Sequence, residues 1–221
     1  MVNTAAAVSW QEQARRMVES LGTLQPAVAA AMARVPRHRF LPAALADEAY
    51  DDTPLPLGPK ASTISAPHMV ALMLEWAELR SGLRVLELGS GSGYLTALLA
   101  ELVRPGGRVV GVELDASLVE ESRHVLSELG YTPDVTIQEA DARNGWPENA
   151  PYDRILVSFA TPEIFPAWDQ QLATPGLMLV PIGPSSSQVL RRLRRGPKGD
   201  RLEDGPGCIF VGIARPDARP K

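Results

Sequence analysis

A doubly wound α/β fold built on a mostly parallel sheet is predicted by three features of the sequence. From residue 84 to residue 182, short apolar runs alternate with helical patterns, the order that builds a parallel sheet with helices on its faces. These runs are near-continuous in hydrophobicity, as befits strands buried on both sides. The first of them, Arg84–Leu88, leads directly into a glycine-rich turn, Gly89-Ser90-Gly91-Ser92-Gly93, and then into a helical stretch.

The elements follow in order. Trp10, Ala14, Met17, Val18 and Leu21 share one helical face, Gly22 stops that run, and Pro26 opens a second helix reaching to about residue 35. Pro36, Pro42, Pro54, Pro56 and Pro59 deny long regular elements to residues 36–62, leaving at most a short helix over 43–49. A helix over 67–79 comes next, with Ser65 or Ala66 near its cap. Strands are predicted at Arg84–Leu88, Arg108–Glu113, Val135–Glu139, 152–158 and 177–182. Helices lie between them at 93–103, 117–129 (ended by Gly130) and 163–172. Residues 188–194 and 208–214 are expected to pair antiparallel at one sheet edge, joined by a Gly/Pro/Asp-rich turn over 196–207. Residues 215–221 are expected to fray. Together 1–221 reads as one domain: a helical, loop-rich lid region over 1–80, a core over 81–215, and a tail over 216–221.

Composition narrows the function classes. Of 221 residues, 45% are apolar and 22% charged, and the net charge of −4 argues against a dedicated nucleic-acid binder. Cys208 is the sole cysteine, so no intrachain disulfide or thiolate cluster forms. His38, His68 and His124 lack metal-ligand spacing, and no metal is expected. The start of the chain lacks a basic signal-peptide region, and no apolar run approaches the ~18 residues of a membrane span. A cytoplasmic enzyme without membrane contact is the expectation, and nothing suggests obligate assembly, so a monomer. Only Lys60, Lys198 and Lys221 are lysines among 22 basic residues, a bias that reads as genomic rather than functional.

The glycine turn carries the most chemistry. A dinucleotide-binding loop needs a third glycine where Tyr94 stands; here the pattern is G-x-G-x-G preceded by the acid Glu87. A dinucleotide sets its pyrophosphate against the helix N-terminus, where an acid is awkward. Glu87 instead suits a cationic ligand, held directly or through water. Glu113 ends the second strand 20 residues after Gly93, where a carboxylate accepts from ribose hydroxyls. Asp141 follows the third strand, beside the adenine amino group in this fold class. In this order the signals resemble a Rossmann-like class I S-adenosylmethionine-dependent methyltransferase, with a helical N-terminal segment and an antiparallel C-terminal strand pair.

Over about residues 12–212 the chain further resembles the protein-L-isoaspartate O-methyltransferases. The most specific piece is Thr63-Ile64-Ser65-Ala66-Pro67-His68-Met69. Val35-Pro36-Arg37-His38-Arg39-Phe40, Ala49-Tyr50-Asp51-Asp52, Ala150-Pro151-Tyr152-Asp153, Pro175-Gly176, Val180-Pro181-Ile182-Gly183 and Gln188 support it. The resemblance implies that the Thr-Ile-Ser segment closes over the cofactor and that Ser65 lies beside the methyl acceptor. It implies cofactor contacts from Thr63, Ile64, Ser65, Glu87, Gly89, Ser90, Gly91, Gly93, Glu113, Leu114, Asp141 and Ala142. The partner is a protein or peptide bearing an isoaspartyl or aspartyl residue, whose carboxylate attacks the sulfonium methyl in line. That carboxylate is ionised at neutral pH, so no general base is required and His68 stays off the catalytic list. Ser65 donates a hydrogen bond that orients it; the competing reading makes Ser65 a helix cap. His38 reads as structural.

Several positions depart from the family pattern. Gly58 to Ser65 is seven residues where the family has six, through Pro59-Lys60-Ala61-Ser62. The usual Gly-Asp-Gly is Ala140-Asp141-Ala142, and Phe159 places a bulky ring where small residues are usual, near the acceptor pocket. Two enzymatic outcomes follow: repair of isoaspartyl residues through a succinimide, or tailoring of a normal aspartate in a ribosomally made peptide to an aspartimide. A non-catalytic S-adenosylmethionine-binding protein is the reading from another class.

Overall fold

The computed structural model describes residues 8–58, 62–132 and 134–213; the expected frayed tail beyond 215 lies outside them. Two helices open the chain, α1 (Trp10–Ser20), capped by the Ser9 hydroxyl, and α2 (Pro26–Arg34). The proline-rich stretch forms only 3-10 turns, at Arg37–Phe40 and Ala43–Glu48. The 43–49 helix of the sequence reading is one of these, its proline at the cap fixing φ but not sustaining a helix. A minimal hairpin follows, β1 (Leu55–Pro56) pairing antiparallel with β2 (Thr63–Ile64). Helix α3 (Pro67–Trp76) comes directly after it.

Strand and helix then alternate: β3 (Arg84–Leu88), α4 (Tyr94–Val103), β4 (Arg108–Glu113), α5 (Ala116–Glu128), β5 (Val135–Glu139), β6 (Tyr152–Val157), α6 (Pro166–Gln171) and β7 (Leu172–Ile182). The sheet runs β5-β4-β3-β6-β7 in parallel and is extended by β8 (Gln188–Gly196) and β9 (Gly199–Cys208), both antiparallel. Strand order reverses at β3, so the loops after β3 and β6 diverge there. In such sheets ligands bind at that crevice.

The central strands β3 and β4 bury both faces and are accordingly almost all apolar, whereas the edge strand β5 alternates buried and more exposed residues. Val85, Val109, Val135 and Ile137 point into one core with Met32, Met73, Leu98 and Leu126 from the helices. Leu86, Leu88, Val110 and Val112 point into the other, with Trp168 and Phe159. Trp168 is fully buried and donates its indole N–H to the Ala142 carbonyl at 2.7 Å, so its polar handle is satisfied.

The sheet edge corrects the sequence reading. The strand paired with β8 is not 208–214 but β9, which occupies the stretch assigned to a turn. Its residues are polar because β9 is an edge strand, where Pro206 and the glycines are tolerated. Opposite charges meet in register: Arg191 with Asp204, Arg192 with Glu203, and Arg195 with Asp200. Opposite charges placed across from one another in this way favour the pairing register of β8 and β9. Residues 209–213 turn back instead to the loop after β6, where Ala160 donates to the Val211 carbonyl at 2.7 Å and Ile213 donates to Ala160 at 3.1 Å. Buried Gln188 secures this return, its side-chain oxygen accepting from the Phe210 N–H at 2.7 Å.

Helix α3 is held at both ends. At its C-terminus, Arg154 donates to the Ala77 carbonyl at 2.5 Å and to the Glu78 carbonyl at 2.9 Å, while Arg192 stacks 4.7 Å from the Trp76 ring centroid. Cations there suit the negative end of the helix dipole. Among the described residues, no helix is long and apolar enough to cross a membrane.

Candidate active site

The glycine turn closes between β3 and α4 with all three glycines at positive φ: Gly89 at +80°, Gly91 at +52° and Gly93 at +85°. At Gly89 space is as restrictive as conformation, since a Cβ there would stand 2.7 Å from Cδ1 of Phe159. Phe159, expected near the acceptor pocket, abuts this turn: it is 6% exposed and wedged between Gly89 and Trp168, the two aromatic ring centroids 5.9 Å apart. An apolar niche made by Trp168 and Phe165 draws it inward.

Glu113, at the tip of β4, joins the glycine turn. One oxygen accepts from the Gly91 N–H at 2.9 Å, and the other from Leu114 at 2.8 Å and Asp115 at 3.0 Å. Three of its roughly four acceptor positions are thus used by backbone. The half-buried Leu114 leaves the strand beside it, and Ser90 is buried with its hydroxyl unpartnered. Asp141 sits one strand further on. The Ala140 N–H donates to the Glu113 carbonyl at 3.0 Å, which draws the tips of β4 and β5 together. Asp141 caps the short turn over Ala142–Asn144 and takes a fork of hydrogen bonds from Arg143, at 2.9 Å and 2.6 Å. That guanidinium holds the Asp141 carboxyl below its ordinary range. Ala142 is buried behind it.

Glu87 lies differently from the sequence expectation of an acid facing the ligand. It is 1% exposed and turned beneath α4, accepting from the Thr96 hydroxyl at 2.5 Å. Burial, helped by the nearby Glu113, pushes its pKa up to about 8. In the unfolded chain it titrates near 4.5, so below that pH both states hold the proton and nothing is lost. As pH rises from there toward 8, only the unfolded state ionises freely, and stability declines across that window. Glu87→Gln is accordingly expected to melt above the wild type at pH 8 by at least about 3 °C, and by less at pH 5, in thermal unfolding of the cofactor-free protein. An equal difference at both pH values would show that Glu87 titrates normally.

The β1–β2 hairpin reaches the same place from the N-terminal side. Cδ1 of Leu57 would stand 3.4 Å from a Cβ on Gly91, so the hairpin packs over the glycine turn. Thr63 is exposed and Ile64 buried, and Ser65 follows, half-buried, in the turn before α3. The inserted residues around Lys60 lie outside the described residues. Ser65 is not the cap of α3. Ala66 holds that position without a side-chain bond, and the capping carboxylate comes from Asp52, whose Oδ1 accepts from the His68 N–H at 2.9 Å. The same oxygen lies 2.9 Å from Nδ1 of His68, which is exposed. His38 bonds the Tyr50 hydroxyl at 2.8 Å and packs against Trp10.

Sequence reasoning thus reached the glycine turn, Glu113 and Asp141, which the structure gathers around the ends of β3, β4 and β5, and Ser65, which directly follows a hairpin packed on that turn through Leu57. It missed Asp52 and Leu57. Asp52 had a signal, an acid close upstream of a helix whose own cap is an alanine; Leu57 had none.

The residues fit S-adenosylmethionine. The turn from Gly89 to Tyr94 carries no basic side chain, as a phosphate-free ligand allows, and Glu113 offers acceptors for hydroxyls. The missing side chain of Gly91 leaves its space bounded only by a flexible leucine methyl. Residues 4–216 match the sequence profile of the protein-L-isoaspartate(D-aspartate) O-methyltransferase (PCMT) family. The chain belongs to this family. Protein-L-isoaspartate O-methyltransferase of Methanopyrus kandleri is 43% identical over 203 residues, 91% of this chain and 89% of that one. A solved protein-L-isoaspartate O-methyltransferase superposes with a TM-score of 0.83 at 28% identity, covering 93% of this chain and 66% of its own. A Plasmodium falciparum protein assigned to PCMT, solved with S-adenosyl-L-homocysteine, superposes with a TM-score of 0.80 at 26% identity, covering 91% and 98%. The PCMT relationship accounts for the cofactor class and for the sheet carrying it.

Proposed function

We propose that this chain methylates the free α-carboxylate of L-isoaspartyl residues in proteins or peptides, with S-adenosylmethionine as methyl donor and Ser65 orienting the acceptor. The observation that carries the role of Ser65 is its freedom from the helix end: Asp52 does the capping, on a segment whose hairpin lies over the glycine turn. When bound, S-adenosylmethionine supplies an electrophilic methyl group on a sulfonium. Gly89, Ser90, Gly91, Gly93 and Glu87 shape and support the floor that holds it. Glu113 and Leu114 serve its ribose, Asp141 and Ala142 its adenine, and Thr63, Ile64 and Ser65 cover it.

The chemistry asks little else of the protein. The acceptor is ionised at neutral pH, so no residue need remove a proton. Alignment lowers the barrier, potentially by several kcal/mol, and the hairpin keeps water from the acceptor oxygen. The methyl ester is a better leaving group than the acid, so the neighbouring backbone nitrogen closes a succinimide that reopens in part to aspartate. With this reading we place the enzyme in the cytoplasm as a monomer acting on protein, without nucleic-acid or membrane partners; sedimentation at the monomer mass is the expected result.

Incubation with labelled S-adenosylmethionine and paired isoaspartyl and aspartyl peptides tests the reading. Base-labile methyl ester is expected on the isoaspartyl peptide alone. Label on the aspartyl peptide alone would assign the chain to peptide tailoring. Cofactor binding without label on either would sink both.

A further inference from the structure

Under the loop of residues 36–52 a cation is withdrawn from water. Arg37 has no exposed surface, its Nε donates to the Ala49 carbonyl at 2.7 Å, and both Nη atoms are buried with no well-aligned hydrogen bond among the described residues. Its guanidinium carbon lies 5.0 Å from the centroid of the Tyr94 ring, and the buried Tyr94 hydroxyl interacts electrostatically with the same guanidinium. Unpaired buried donors are costly, and an apolar side chain of similar volume would avoid burying a charge here.

The positions of the two residues give this cluster a consequence. Tyr94 is the first residue of α4, directly after Gly93. Ala49 leads within three residues to Asp52, the cap of α3, which starts two residues beyond Ser65. Arg37 therefore touches both the turn that opens the cofactor helix and the loop that fixes the Ser65 segment.

We propose that Arg37 is a positioning residue for methyl transfer: set directly against the Tyr94 side chain, it holds the 49–52 loop, and so Asp52 and the Ser65 turn, against the first turn of α4. The proposal rests on the reading of Ser65 as the residue beside the acceptor. It concerns how that residue is held, and Arg37 itself touches neither substrate nor cofactor.

Arg37→Lys keeps the charge but loses the fork, and Tyr94→Phe removes a single oxygen and keeps the ring, so at least the second should fold. The first readout needs no cofactor. Hydrogen exchange at the His68 amide, whose acceptor is Asp52, is expected to speed at least tenfold in both variants while the Leu98 amide in α4 holds its rate. The second is kinetic: kcat on an isoaspartyl peptide falls at least tenfold, cofactor Kd stays within threefold, and neither variant lowers kcat further in a Ser65→Ala background. Unchanged exchange at His68, equal acceleration at His68 and Leu98, or losses that multiply with Ser65→Ala would each overturn the proposal. If Ser65→Ala alone leaves kcat intact, the reading of Ser65 fails by itself. The Arg37 bridge then stands only on the His68 exchange and its own loss of kcat, and falls if either is missing.

Discussion

Gly89→Ala is expected to lower the melting temperature by roughly 5–20 °C and to weaken S-adenosylmethionine binding at least tenfold. Two effects combine. An L side chain at the φ of +80° costs about 1–2 kcal/mol. The new methyl would also stand 2.7 Å from Phe159, and overpacking of this kind typically costs about 1–3 kcal/mol. Phe159 has nowhere to retreat, because Trp168 and Phe165 fill the niche behind it. In a domain of this size each kcal/mol moves the midpoint by about 2–4 °C. Thermal unfolding and calorimetric titration read the two effects separately. Phe159→Leu in the same background should restore part of the melting temperature by relieving contact, but not the part due to φ. A Gly89→Ala protein that melts and binds like the wild type would mean the turn is not held against Phe159.

Ser65→Ala is expected to reduce kcat roughly 10- to 100-fold on an isoaspartyl peptide, the scale of a hydrogen bond to a charged acceptor. Cofactor affinity should change less than about threefold and the melting temperature by less than about 2 °C. The unchanged stability is the sharper half of the expectation. An N-cap serine replaced by alanine would cost about 1 kcal/mol, but the cap of α3 is supplied by Asp52. Equal losses in kcat and cofactor affinity would reassign Ser65 to the cofactor, and a clear drop in stability would make it structural.

Where the sequence was legible, local pattern and final packing agreed. Strands β3 and β4 came out at the predicted residues because strands buried on both faces are near-continuously apolar, and β5 because its alternation of buried and more exposed residues is the period of an edge strand. Gly22 and Pro26 marked the break between α1 and α2 because their backbone preferences act locally. Failures arose where tertiary partners decided. Gly199–Cys208 carries turn-like residues, yet a ladder of arginines on β8 faces its acids, and that complementarity spans two segments no local window compares. α6 is shorter than expected mostly at its start, where Pro166 opens it at the first helical position after Phe165, and β7 takes only Leu172 from its end through pairing with β6. In the site, Glu113 and Asp141 were readable from their places after strands. Glu87 was read as facing the ligand because sequence gives the end of a strand but not the side on which a carboxylate is buried. Arg37 and Tyr94 lay within recognised segments, but their burial together depends on three elements meeting.

The clamp on α3 ties two distant parts of the molecule. The helix is ten residues long, about 15 Å, and carries the Ser65 turn at one end. Its other end is gripped by Arg154 and Arg192, while Arg194 forks onto the Glu78 carboxylate just beyond. Of these contacts the Arg194–Glu78 pair is exposed and open to screening by dissolved salt, whereas the bonds from Arg154 to backbone carbonyls and the stacking of Arg192 on Trp76 are largely sheltered. The seat of the helix is therefore built to outlast changes in ionic strength, with one surface pair giving way first.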